Sequence, residues 1–379
     1  MRDVPSPADL GLRIIAFLLG ALCVVLVFRS AVRVFVIPRG LLDPLAAFTF
    51  RLTRRWFDLV ISRLSTYEQK DQVMAAYGPL SLLAYVPVLV GIVDAGFTLM
   101  FWAAGVGSVY DAFILSGSSL FTLGLKAPST PLTFALTYLE AGSGLVIIAL
   151  LISYLPTIYN AFSQRETLVR LLETRAGTPP SAVYLYELAF PLGRMDHLQE
   201  LFADWEVWFA QTDETHTSLA MLSFFRSSQP QHHWLTAAGA ILDAAALYLS
   251  TLDYPRTANA ALCIRAGYIT LRHICDLFRI SYPADPHFPQ DPISITRAEF
   301  DEACARLEAA GLPMKPNREQ AWIDFAGWRV NYDRTLLSLC ALTMPPPAPW
   351  SSDRMPMYRP LPLWGHRKIV EAVQEKVPF

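Results

Sequence analysis

Three long apolar runs limit what this chain can fold into. Residues 10–35, 80–104 and 131–156 each carry enough near-continuous apolar sequence to cross a bilayer, which takes about 20 residues in a helix. The core of the first, "IIAFLLGALCVVLVF", has no charge and is flanked by Arg13 and Arg29, whose long side chains can snorkel to the headgroups. It reads as a span and not as a cleaved signal, because basic residues follow the apolar run and no small-residue cleavage site does. The second, "LSLLAYVPVLVGIVDAGFTLMFWAA", is interrupted only by Pro87 and Asp94. The third, "PLTFALTYLEAGSGLVIIALLISYLP", holds one charge, Glu140. Charged residues make up 17% of the 379, against roughly 25% in soluble domains. That deficit suits a chain that lies partly in lipid. A net charge of −2 gives no electrostatic case for nucleic acid.

The loops set the orientation. Arg29 and Arg33 at the end of the first run, and Arg39, Arg51, Arg54, Arg55, Arg63 and Lys70 beyond it, lie between its uncharged core and the second run. Arg165, Arg170 and Arg175 follow the third, whereas only Lys126 lies between the second and third. Lysine and arginine mark the cytoplasmic side. The N-terminus and the Lys126 segment are therefore expected outside, and the residue 29–72 loop and the C-terminal half inside. Within that loop, Phe50, Trp56, Phe57, Leu59 and Val60 alternate with basic residues. This predicts an amphipathic helix, lying on the inner headgroups or packed on the C-terminal domain.

Residues 106–130 are too apolar for an exposed loop. "SVYDAFILSGSSLF" reads as a short helix dipping into the membrane, and "TLGLKAPSTP" as a glycine-containing, strand-like return. Such backbone is tolerated at membrane depth only where protein or water covers it.

The stretch "DAFILSGSSLFTLGLKAPSTPLTFALTYLEAGSGLVIIALLI" resembles the pore module of the potassium-channel superfamily. The resemblance covers about residues 80–159. It implies an outer helix, a pore helix, a filter and an inner helix with a glycine hinge, assembled as a homotetramer that passes a monovalent cation, potassium among the candidates. Thr122 matches the filter threonine, Leu123 the valine and Gly124 the first glycine. Leu125 stands at the usual tyrosine and Lys126 at the usual second glycine. Gly142 and Gly144 in "LEAGSGL" match the hinge. Lys126 departs most: four copies would ring the outer mouth with positive charge, which opposes cation entry.

Two acids lie inside the spans, Asp94 and Glu140, at similar depth from the outer boundary. Intramembrane carboxyl groups face the bundle interior or water. They form either an acidic girdle that attracts cations or senses protons, or a brace on the pore-helix backbone or on Ser116, Ser118 or Ser119. The glycines also have a second reading, as small residues that let helices approach.

The C-terminal half is helical in pattern. Residues 161–175 continue the third span, and "GTPP" at 177–180 marks a boundary. Residues 232–252 are Ala/Leu-rich and predict a buried central helix instead of a fourth span. Residues 256–280, 296–311 and 318–343 predict further amphipathic helices. Trp205, Trp208, Trp322 and Trp328 are candidate core aromatics. His232 and His233 are adjacent, which is not metal-ligand spacing, and read as a surface pair. Cys23, Cys263, Cys275, Cys304 and Cys340 form no CxxC pair and read as reduced thiols. Proline-rich residues 344–366 predict an extended tail.

The expectation is an all-α membrane protein with three transmembrane helices and one re-entrant pore loop, plus an all-α cytosolic domain. Its segments run 1–37 (first span), 38–75 (interfacial linker), 76–160 (pore module), 161–180 (linker helix) and 181–379 (helical domain with its tail). It would sit in the plasma (inner) membrane, in contact with lipid and without cofactor, metal or nucleic acid. No GxSxG, P-loop, HExxH or GxGxxG occurs, which disfavours a membrane-tethered enzyme. The stronger rival is a non-conducting sensor or scaffold that keeps the channel fold.

Overall fold

Apolar length becomes helix length. In the computed structural model, which describes residues 7–37 and 43–356, the three runs form α1 (Pro7–Phe35), α4 (Tyr77–Ala103) and α6 (Pro131–Ala176). These helices have 29, 27 and 46 residues. At about 1.5 Å per residue the shortest spans roughly 40 Å, more than a hydrocarbon core of about 30 Å. All three are long and apolar enough to cross a membrane. Between them lie α2 (Pro44–Ile61), α3 (Tyr67–Ala75) and α5 (Val109–Leu120). The C-terminal half adds α7 (Ala182–Ala189), α8 (Leu198–Ser218), α9 (Trp234–Ser250), α10 (Ala258–Phe278), α11 (Arg297–Ala309), α12 (Arg318–Arg329) and α13 (Asp333–Thr343). Among the described residues there is no strand, only an isolated bridge between Leu252 and Met314. Residues 1–6, 38–42 and 357–379 lie outside the description, and with them Arg39 and much of the proline-rich tail.

The chain divides into two units, one of residues 1–54 and 79–159, the other of residues 55–78 and 160–379. In the first, Val27, Tyr85, Leu89, Val93, Phe97, Phe101, Leu115, Leu136 and Ile147 form the core. Leu18, Val25, Leu83, Leu139, Leu145 and Ile152 point outward and stay exposed. So large an apolar exterior is costly in water and fits lipid. Helices α1 and α4 cross at Gly20 and Gly96: a β-carbon on Gly20 would lie 2.3 Å from the Gly96 carbonyl oxygen, which only glycine permits. Near the opposite end of α1, Ser30 Oγ contacts Asp43 Oδ2 and lies 2.5 Å from the Tyr85 hydroxyl. Asp43 Oδ2 also accepts the Leu45 N–H at 3.0 Å, so one buried polar knot caps α2 and ties it to α1 and α4.

The second unit is built around α9, every residue of which is buried, as a central Ala/Leu-rich helix requires. Helices α7, α10 and α12 pack against it, and α8 runs along α10. Trp205 and Trp208 are core residues, while Trp322 and Trp328 are half-buried. The final amphipathic stretch is not one helix: it breaks after Arg329 and restarts at Asp333. The break lets Arg329, fully buried, reach Asp243 Oδ1 at 2.5 Å, Asp333 Oδ1 at 2.7 Å and the Trp350 carbonyl at 2.7 Å. Residues 160–176 of α6 belong to this unit too. There Arg165 donates to Glu166, to the Leu222 carbonyl at 3.0 Å and to the Phe225 carbonyl at 2.7 Å. His232 and His233 do not form a surface pair. Both are buried, because His233 caps α9, its Nδ1 accepting the Leu235 N–H at 3.2 Å, while His232 Nε2 lies 3.1 Å from Glu173. Cys263, Cys275, Cys304 and Cys340 are buried and all five cysteines are free; burial pushes the Cys304 thiol up to about 11.

Candidate functional site

The segment after the second apolar run is organised from Ser108 onward. Its side chain caps α5 by accepting the Asp111 N–H at 3.1 Å, and Asp111 Oδ2 accepts the Ser108 N–H at 3.1 Å, a reciprocal capping box. Asp111 does a second task. Its Oδ1 pairs with Lys126 Nζ at 2.6 Å, and the same ammonium reaches the Asp111 carbonyl at 3.3 Å. The Lys126 bond and the Ser108 bonds hold the Asp111 carboxyl well below the usual carboxylate range. Lys126 is therefore paired within its own chain, its side chain running back from the turn to the first turn of α5.

That turn closes on Ser118. The Leu123 N–H donates to the Ser118 carbonyl at 2.8 Å, and the Leu125 and Lys126 N–H groups converge on Ser118 Oγ at 2.8 and 3.3 Å. Thr122 and Gly124 both take positive φ, 54° and 69°. For Thr122 this is a costly conformation, kept because the turn around Ser118 fixes it. The expected strand-like return is thus a wound turn: alternate left-handed residues swing the N–H groups toward α5. The carbonyls of Thr122, Leu123, Gly124 and Leu125 accept no hydrogen bond from the described residues. The side chains of Leu123 and Leu125 are exposed.

Behind the turn, the acidic residues of α4 and α6 meet one serine, Asp94 through its main-chain carbonyl. Ser116 Oγ lies 2.9 Å from the Asp94 carbonyl and 2.5 Å from Glu140 Oε1. Glu140 and Ser116 are fully buried. Glu140 Oε2 and Asp94 Oδ1 are buried without a hydrogen-bond partner. Ser119 Oγ is 2.7 Å from the Leu115 carbonyl and 3.5 Å from Thr137 Oγ1.

The two candidate hinge glycines differ in their surroundings. Nothing lies within 4 Å of a β-carbon built on Gly142, whereas on Gly144 it would meet the Leu120 carbonyl oxygen at 2.8 Å. Gly144 is a contact glycine between α6 and the end of α5.

The structure thus brings Asp94 and Glu140 to one hydroxyl, winds Thr122–Lys126 around another, and ties Lys126 to Asp111. Sequence reading named the three serines but could not rank them. Their spacing of two and one along α5 gives no sign that Ser116 faces the acids and Ser118 the turn. No group of three or more metal-ligating side chains occurs among the described residues. What the turn offers a cation is backbone oxygen, which suits hard monovalent ions. Comparison with family models, with curated proteins and with solved structures finds no match for this chain.

Proposed function

We propose that this chain is a channel-like integral membrane protein, with α5 as a re-entrant helix, that assembles as a homotetramer. A monovalent cation, potassium among the candidates, passes along the free carbonyls of Thr122–Leu125. The second unit is cytoplasmic and linked to the pore through α6. The observation that carries this reading is the Lys126–Asp111 pair. An unpaired lysine about 8 Å from a passing cation opposes it by about 2 kcal/mol at an effective dielectric near 20. Pairing at 2.6 Å removes most of that opposition and leaves the carbonyls as the dominant feature of the mouth.

The test is ion-substituted recording from purified protein in planar bilayers. Asp111→Asn should free the lysine charge and cut cation current about tenfold or more. Lys126→Gln should hold or raise the current, and Lys126→Gly should raise it further by relaxing the turn. The exposure of Leu123 and Leu125, 59% and 71%, favours the rival in which the fold serves as a sensor or scaffold. Absence of current in the parent and in both Lys126 variants, all shown to be folded and tetrameric, leaves only that rival.

A further inference from the structure

Ser116 stands where α4, α5 and α6 meet, and it has two oxygen partners but one proton. A serine hydroxyl donates once. The Asp94 main-chain carbonyl, 2.9 Å away, can only accept. With the serine proton placed there, the 2.5 Å contact between Ser116 Oγ and Glu140 Oε1 needs a proton of its own, and only the carboxyl can supply it. The other oxygen of Glu140 points the same way. Oε2 is buried without a partner, which a neutral acid's carbonyl tolerates far better than a carboxylate does. Asp94 Oδ1, the second acidic oxygen at this junction, is also buried and unpartnered among the described residues. Of the other charged groups in this unit, Asp111 and Lys126 pair with each other at the first turn of α5, and Arg13 Nη1 donates to the Trp102 carbonyl at 3.3 Å.

We propose that Glu140 is a proton-binding site: in the folded protein it carries a proton and donates it through Oε1 to Ser116, which in turn donates to the Asp94 carbonyl. One run of donors then joins α6 to α5 and α5 to α4. Releasing the proton to solvent leaves a carboxylate. Ser116 must turn its own proton onto that carboxylate, and the Asp94 carbonyl loses its α5 partner. Proton release on α6 thus unfastens α5 from α4. The assignment holds whether or not the Thr122–Leu125 segment conducts.

Infrared spectroscopy of the full-length protein in lipid nanodiscs at neutral pH tests it. The expected result is a protonated-carboxyl C=O band that shifts down in D₂O and is lost in Glu140→Gln. Ser116→Ala removes the acceptor and should move the same band to higher frequency, which keeps a test in hand if the glutamine variant does not fold. Bands unchanged by both substitutions overturn the proposal. So does a band that survives Glu140→Gln and disappears in Asp94→Asn, which would put the proton on Asp94.

Discussion

At Ser118 one hydroxyl decides the path of the chain after α5. It accepts two N–H groups, those of Leu125 and Lys126, and so does the work that a further helical turn would otherwise do. Ser118→Ala leaves both donors without a protein acceptor. The expected cost is about 1–3 kcal/mol, read as a lowered unfolding midpoint in detergent. A midpoint unchanged from the parent would show that the turn is held elsewhere. At this scale the sequence was legible in kind but not in pairing. Lys126 stood out because a filter-like segment ought not to hold a lysine, yet it is paired with Asp111 from 15 residues back. Glu140 stood out as a charge in an apolar run. His232 and His233 misled, since adjacent polar residues suggest a surface and only the fold puts one at the cap of a buried helix.

Among the elements, α5 and α6 also approach backbone to backbone, at Leu120 and Gly144. A β-carbon on Gly144 would sit 2.8 Å from the Leu120 carbonyl oxygen, which belongs to backbone and cannot step aside. Gly144→Ala should therefore cost about 1–3 kcal/mol of stability, as overpacking does. Gly142→Ala meets nothing within 4 Å, and should be neutral or stabilise α6 by about 0.5–1 kcal/mol. Thermal unfolding of the two variants side by side checks this. If Gly142→Ala is the more damaging, the hinge belongs to Gly142 and Gly144 is not a packing residue. Apolar length alone sufficed to place α1, α4 and α6. It did not reveal the Gly20–Gly96 crossing, because a glycine in an apolar helix looks the same whether it faces lipid or another backbone.

For the whole molecule, buried charge makes stability depend on pH. In the second unit, burial and then the Arg165 guanidinium keep the His216 imidazole well below its ordinary value. Burial and then Arg226 and Arg165 do the same for His233. Each uses a ring nitrogen as an acceptor, His233 from the Leu235 N–H and His216 Nε2 opposite Arg165 Nη1 at 3.2 Å, so protonation breaks a bond as well as adding charge. A histidine whose folded pKa is depressed binds its proton mainly when unfolded. The contribution of these histidines is then steady above about pH 6.5 and falls below it, by up to roughly 1.4 kcal/mol per pH unit for each. The difference in denaturant midpoint between the parent and a histidine variant from pH 7 to 5 isolates that fall from a protonated Glu140, whose contribution runs the other way. His216→Gln, which keeps an acceptor for Arg165, should reduce the slope; an unchanged slope assigns the effect elsewhere. Orientation is a second property at this scale. The arginines of residues 29–72 place that loop in the cytoplasm on the proposed topology. A cysteine introduced at Ser65 should react with an impermeant thiol reagent only after the cells are opened, and strong labelling of intact cells would invert the topology.

Apolar runs of sufficient length, the scarcity of charge and the uneven spread of arginine were properties of the sequence by itself, and they sufficed for an all-helical chain with three helices able to cross a membrane. Those signals are one-dimensional: helix length and hydropathy follow from neighbours along the chain. Which hydroxyl serves which acid, which lysine is neutralised and which glycine is a contact depend on pairs far apart in sequence. Ser116 with Glu140, Lys126 with Asp111, Gly20 with Gly96 and Arg329 with Asp243 are such pairs. Only tertiary packing settles them, because a buried polar group must find its partner across helices, and the rotation of each helix about its axis decides which partner that is.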